Sequence, residues 1–292
     1  MNKKIMDMEF SQIYGQDDTK KQLKSALMTD RHVILIGPPG VGKTTIAKQI
    51  ADIVGNKCFV RVQGSPDLTA EDLIGDIDPV SAIKHGPLSK EAFVKGKIFK
   101  ANKGVLFFDE VNRCSEKLQN ALLQALEERK VTIGSYDVDF DANFIFIGTM
   151  NPEDTSTEPL SDVFLDRFDL IPMTYPESKA IEQKIVLEKG QKLIDFPENL
   201  LDGVLEFIRR LRNDERVEKK PSVRASLGIY DRSQSNAILS GRKKVTPQDV
   251  ADVLVSVLAH RIALKPSIKY LSRPEDFIAE EFEKFKKKGG YL

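Results

Sequence analysis

The residues best suited to chemistry form one run, Gly37-Pro38-Pro39-Gly40-Val41-Gly42-Lys43-Thr44, placed directly after an apolar stretch and before a helical one. Glycines at this spacing let a loop turn its backbone N–H groups onto phosphate oxygens. Lys43 would neutralise charge on the outer phosphates, and the Thr44 hydroxyl would ligate Mg2+. Thr45 opens the helical run and joins the phosphate-facing set. A second carboxylate-bearing segment lies further along, where the apolar run Val105–Phe108 ends in Asp109-Glu110. The first carboxylate suits the metal's water shell, the second a base that polarises the attacking water.

Two further positions carry alternatives. Asn151 follows the run Phe144–Gly148 in Thr149-Met150-Asn151-Pro152. Its neutral amide could hold an attacking water or a terminal phosphate without adding charge, and equally it could be a plain Asn-Pro turn. Arg167, in Leu165-Asp166-Arg167-Phe168, reads on its own as a surface ion pair.

These residues need rigid elements to hold them. Short apolar runs at Val33–Ile36, Cys58–Val62, Val105–Phe108, Phe144–Gly148 and Leu170–Met173 alternate with helical periods. Such alternation predicts an α/β core with a mostly parallel sheet covered on both faces. After Tyr175-Pro176 the texture changes to helical periods alone, as in Leu201-Val204-Leu205-Ile208-Leu211 and Val250-Val253-Leu254-Val257-Leu258. The expectation is a core over residues 1–175 and a small helical domain over 176–292. Within the latter, Asn213–Lys220 reads as a charged loop, Thr246-Pro247 as a helix start, and Pro274–Lys288 as a solvated terminal helix.

Composition narrows the function classes. Lys+Arg and Asp+Glu balance at 44 each in 292 residues, so no global positive field drives binding to a phosphate backbone, and a nucleic-acid partner is not expected. The opening MNKKIMDMEF has no continuous apolar run and no stretch reaches spanning length, so the expectation is a cytoplasmic protein without a membrane segment. Cys58 and Cys114 lack metal or redox spacing and read as structural thiols.

Taken in order, Tyr14-Gly15-Gln16, the glycine loop, Phe107-Phe108-Asp109-Glu110-Val111-Asn112-Arg113, Gly148–Pro152 and Leu165–Phe168 resemble the AAA+ ATPases. More narrowly, Phe59–Leu68, Asp109–Arg113, Ala125–Thr132 and Pro221–Ala225 are similar to the MoxR group and to its magnesium-chelatase ATPase-subunit relatives. The resemblance runs from about Ile13 to about Leu264, leaving the extension from Lys265 without a role.

It implies a P-loop core with strand order 5-1-4-3-2 and a helical lid, with ATP and Mg2+ as cofactors. Sensor 1 would be Asn151, an arginine finger for the next subunit Arg167, and sensor 2 Arg224, with Tyr14-Gly15-Gln16 against the adenine. Arg113 is either a second trans-acting arginine or a local ion pair. Leu73–Pro79 through Phe99 would be the insert within the family's second helix, and Val131–Phe140 the hairpin before sensor 1. In that hairpin Tyr136, Val138 and Phe140 alternate with Asp137, Asp139 and Asp141 around a Gly134-Ser135 turn, as in a pore-lining element or a plain sheet-edge hairpin. The implied activity is ATP hydrolysis at the interfaces of a ring, a hexamer by the resemblance, that remodels a protein client. In this group the client is often a von Willebrand factor A domain protein. A nucleic-acid motor on the same core is the alternative.

Overall fold

The computed structural model of the protein describes residues 2–54, 58–86, 89–132, 139–152 and 160–287. Backbone contacts divide the chain into two compact units. One comprises Met1–Pro38 and Gly42–Met173, the other Pro39–Val41 and Thr174–Leu292.

The first unit is built on five parallel strands: β1 (His32–Ile36), β2 (Phe59–Gln63), β3 (Val105–Asp109), β4 (Ile145–Met150) and β5 (Phe168–Pro172). Their spatial order is β2-β3-β4-β1-β5, which is the expected 5-1-4-3-2 read from the opposite edge. β3 is apolar along its length, with Val105, Leu106, Phe107 and Phe108 all inaccessible, as a strand covered on both faces must be. The edge strand β2 instead alternates, placing Arg61 and Gln63 on one face and Val60 and Val62 on the other.

Helices α1 (Asp17–Met28), α2 (Lys43–Ile53) and α3 (Glu116–Glu128) bury their apolar stripes in this unit. α2 begins two residues before the expected Thr45, because Gly42 at φ 106° turns the chain directly into it. Lys43 and Thr44 therefore lie in the first turn, where the N–H groups have no partner inside the helix.

Between β2 and β3 the chain inserts short elements. The helix Ala70–Ile74, closed by a Thr69–Asp72 capping box, leads into an antiparallel pair, Gly75–Ile77 with Phe93–Lys95, around the helix Pro79–His85. Before β4, Lys130–Thr132 pairs antiparallel with Asp139–Asp141 in the register Val131↔Phe140. The turn expected at Gly134-Ser135, with Tyr136, Asp137 and Val138, lies outside the described residues.

The second unit packs α4 (Lys179–Lys189), α5 (Glu198–Asn213), α6 (Val223–Leu239), α7 (Pro247–Leu258) and α8 (Pro274–Lys287). α7 starts as expected, with Pro247 at its first position behind a Thr246–Asp249 capping box. Two expectations are corrected. The charged loop over Asn213–Lys220 contains the strand Val217–Lys219, which pairs antiparallel with Ala263–Leu264 and buries Val217 and Leu264. Nor is α8 simply solvated, since its face of Phe277, Ile278, Phe282 and Phe285 enters the core, with Phe207 5.2 Å from Phe282 and 5.5 Å from Phe285. Glu281 on that face is buried and held by Arg216 at 3.0 Å and Lys284 at 3.0 Å.

A buried ion pair ties α4 to α5. The wholly inaccessible Glu182 receives both guanidinium arms of Arg212, at 2.5 and 2.6 Å. Burial pushes the Cys114 thiol up to about 11, which keeps it protonated and inert. Among the described residues no helix is long and apolar enough to cross a membrane.

Candidate nucleotide site

The site gathers at the carboxyl ends of β1, β3 and β4, where the strand order reverses direction about β1. The glycine loop leaves β1 with Gly37, whose N–H donates to Met150 O at 3.1 Å and so fastens the loop to β4. Gly40 and Gly42 adopt positive φ, the conformations that let a short loop present consecutive N–H groups. Pro38, Pro39 and Val41 complete the loop, and Lys43, Thr44 and Thr45 form the first turn of α2. The Lys43 ammonium donates to Gly37 O at 2.5 Å and to Pro38 O at 3.0 Å. It is therefore held over the mouth of its own loop.

Tyr14-Gly15-Gln16 runs into α1 with Gly15 at φ 65° and Gln16 at φ 59°. Gln16 is buried, its side-chain oxygen accepting from the Thr19 hydroxyl at 3.3 Å, while the same hydroxyl reaches Pro172 O at 2.7 Å. The segment is thus tied to the end of β5. Ile13 brings it beside the loop, since a Cβ on Gly42 would lie 3.2 Å from Ile13 Cδ1.

At the tip of β3 the two carboxylates hold different partners. Asp109 Oδ1 accepts from the Thr149 hydroxyl at 2.7 Å, and Oδ2 meets Arg61 Nη2 at 2.6 Å. Glu110 turns out of the strand at φ 57°, and its N–H donates to Thr149 Oγ1 at 2.9 Å. The Glu110 carboxylate accepts from Gln63 Nε2 at 2.8 Å and pairs with Arg113 at 3.3 Å. Arg113 is thus a local ion-pair partner of Glu110 within this chain. Two guanidinium groups and one amide surround the two carboxylates, in keeping with the cost of crowding like charges in a partly buried place.

Asn151 follows β4 half-buried, between the ends of β1 and β3. Arg167 stands apart. It precedes Phe168, which pairs with His32 at the start of β1, so it lies at the opposite end of the sheet from the glycine loop. There it pairs with Glu127 of α3 and donates to Val163 O, and its buried Nε has no hydrogen-bond partner among the described residues. Arg224 lies in the first turn of α6, its N–H accepted by the Ser222 cap at 3.3 Å. The structure therefore brings the loop, Asp109, Glu110 and Asn151 to one end of the sheet and places Arg167 at the other.

Arg61, Gln63 and Thr149 are the contacts that motif reading passed over. Thr149 is wholly inaccessible and bridges both acidic residues, and its only sequence signal is a hydroxyl at the end of an apolar strand. Arg61 and Gln63 alternate along β2 onto the face that carries Asp109, a signal visible only once the pairing of β2 with β3 is known.

A glycine loop after the first strand, two acidic residues after the third and a polar residue after the fourth, on a sheet of this order, define a P-loop ATPase of the AAA+ class. Residues 32–168 match the AAA domain (dynein-related subfamily) and residues 209–281 the AAA lid domain. The chain is 32% identical to the chaperone MoxR1 of Mycobacterium tuberculosis, covering 86% of this chain and 73% of that protein. It is 26% identical to the magnesium-chelatase subunit ChlI of Nicotiana tabacum, covering 88% of this chain and 74% of that protein. The RuvB Holliday junction branch migration motor of Thermotoga maritima superposes with a TM-score of 0.53 over 84% of this chain and 70% of that one, at 20% identity, a likeness of fold alone. The chain belongs to the MoxR group of AAA+ ATPases, and it hydrolyses ATP.

Proposed function

We propose that the protein hydrolyses ATP with Mg2+ at the interfaces of a ring, a hexamer by family resemblance, and uses the cycle to remodel a protein client. In this reading residues 1–175 form the nucleotide core and residues 176–292 the lid. Lys43 and the loop from Gly37 to Thr45 hold the phosphates, and Tyr14-Gly15-Gln16 lies against the adenine. Glu110 orients and deprotonates the attacking water, Asn151 holds that water or the terminal phosphate, and Arg224 reads the phosphate from the lid.

The donor set fits the metal. Asp109 offers a carboxylate and Thr44 a hydroxyl, hard oxygens of the kind Mg2+ takes while keeping waters and phosphate as its other ligands. Among the described residues no cluster of three or more His, Cys, Asp or Glu offers an all-protein cage. When bound, the metal would neutralise charge developing on the transferred phosphoryl.

The observation that carries the ring reading is the position of Arg167. The five residues of β5 span about 16 Å at about 3.3 Å each, which is beyond the reach of one arginine side chain to its own glycine loop. An arginine so placed, half-buried and held in position by Glu127, suits a neighbour's phosphates rather than those at its own loop. Mixing Arg167→Ala with Glu110→Gln, each slow alone, should restore partial ATPase activity, because some interfaces in a mixed ring join an intact Glu110 to an intact neighbouring Arg167. Mixed rings that form and stay inactive would refute the reading.

The client assignment rests on the resemblance and on the chaperone description of the MoxR1 relative. A von Willebrand factor A domain protein is the client class that the family suggests, in the cytoplasm. Pull-down from native lysate with Glu110→Gln and ATP tests it, and DNA binding at low salt would instead favour a nucleic-acid motor.

A further inference from the structure

β2 and β3 pair with Arg61 opposite Phe107 and Gln63 opposite Asp109. Side chains two apart share a face of a strand, so one face of this pair carries the Phe59–Phe107 stack, with ring centres 5.6 Å apart, then Arg61, then Gln63 and Asp109. Arg61 reaches forward along that face to Asp109 Oδ2 at 2.6 Å and also donates to Gln63 Oε1 at 3.4 Å. Both oxygens of Asp109 are then committed, one to Thr149 and one to Arg61. A metal at Asp109, bound directly or through its water shell, would sit beside the Arg61 guanidinium, and two cations at one carboxylate repel each other. Thr149 sits inaccessible on a central strand and has nowhere to go, whereas the Arg61 side chain is 51% exposed on the sheet edge and rides on a flexible stem.

We infer that Arg61 is a counter-ion that competes with the divalent cation for Asp109, so that metal-bound nucleotide settles only as this guanidinium is displaced. The inference rests on the nucleotide-site reading above and adds a positioning residue to it. Displacement has a second consequence through Gln63. Arg61 steadies the Gln63 carboxamide oxygen, and the nitrogen of the same amide donates to Glu110 Oε2. Arrival of the metal at Asp109 would therefore loosen the amide that holds the base. Arg61 and Gln63 together would couple the metal ligand to the base across one strand.

The test uses the full chain and a fluorescent ADP analogue, titrated in EDTA and across a range of MgCl2, for wild type, Arg61→Gln and Arg61→Lys. Removing an exposed ion pair should lower the Mg2+ concentration at half-effect by about two- to fivefold in Arg61→Gln, with affinity in EDTA equal or weaker. Arg61→Lys, which keeps the charge without the planar fork, should fall between, and remains informative if the glutamine variant melts early. A magnesium midpoint that is unchanged or raised in variants that melt normally would overturn the competition. Wild type failing to bind the analogue at any magnesium concentration would overturn the nucleotide-site reading and the inference with it. Wild type binding with the same magnesium dependence as both variants would overturn the inference alone.

Discussion

Thr149→Val should damage the site more than its conservative size suggests. Valine keeps the shape of threonine and removes only the hydroxyl, which here donates to Asp109 Oδ1 at 2.7 Å and accepts from Glu110 N at 2.9 Å. The bond to the carboxylate is charge-assisted and worth about 1.5–3 kcal/mol, and the bond from the amide about 0.5–1.5 kcal/mol. Thr149 is wholly inaccessible, so water does not replace either partner easily. Glu110 also holds a left-handed backbone, which costs a non-glycine residue about 1–2 kcal/mol and persists only while its surroundings enforce it. With the amide released, the Glu110 backbone should relax and move its carboxylate. A loss of about 2–4 kcal/mol in the core is expected, read as a fall in melting temperature of several degrees. Turnover should drop by about tenfold or more while affinity for nucleotide without metal stays close to wild type. Thr149→Ser, which restores the hydroxyl, should recover most of both. A Thr149→Val protein that melts and turns over like wild type would refute the bridging role.

Lys43→Ala should abolish nucleotide binding, because the phosphates would keep several charges uncompensated in a partly desolvated loop, and labelled ATP measures this directly. His32 gives a pH dependence. Its Nδ1 accepts from Phe146 N at 3.2 Å, so Nε2 carries the proton shared with Leu126 O at 3.3 Å, and burial lowers its pKa from the ordinary 6.5. With the folded value below the unfolded one, the stability given by the neutral ring is intact above about pH 6.5 and is lost as pH falls through the folded value, by at most about 1.4 kcal/mol per pH unit. His32→Asn, whose side-chain oxygen can still accept from Phe146 N, should flatten this part of the melting-temperature profile, and an unchanged slope would exclude His32 as its source.

What was legible in the sequence was local. The glycine loop announces itself because its residues lie together within a few positions of chain. The apolar run that delivers Asp109 and Glu110 is equally self-contained. The strand order came with the resemblance, since no periodicity states which strand lies beside which. Arg61 was hidden for that reason, because a charge on an alternating edge strand looks solvated until β2 is laid against β3. Val217–Lys219 is too short to show a period, and its one buried residue matters only through pairing with Leu264. α8 displays its apolar face plainly, but the partner of that face, Phe207, lies on α5 far back in the chain. Arg167 illustrates the converse. The residues alone read as a surface ion pair and the resemblance as a finger, and the structure places Arg167 beside Glu127 at the end of the sheet away from the glycine loop.

The paired carboxylates also explain Gly64, whose role the segment Phe59–Leu68 leaves unstated. In an unbroken strand Asp109 and Glu110 would point to opposite faces of the sheet, and one of them would face the core. The turn at Glu110, with φ 57°, ends the strand at once and keeps both carboxylates at its tip with separate partners. That turn swings the Glu110 carbonyl against the neighbouring chain, where a Cβ on Gly64 would lie 2.1 Å from Glu110 O. Gly64 N–H meanwhile donates to Asp109 O at 2.7 Å, continuing the β2–β3 ladder one residue past the strands. A side chain at residue 64 would have to break that bond or push Glu110 out of its turn. Gln63-Gly64 at the end of β2 and Asp109-Glu110 at the end of β3 are therefore one structural device, in which the glycine makes room for the backbone conformation and the glutamine holds the side chain that the conformation presents.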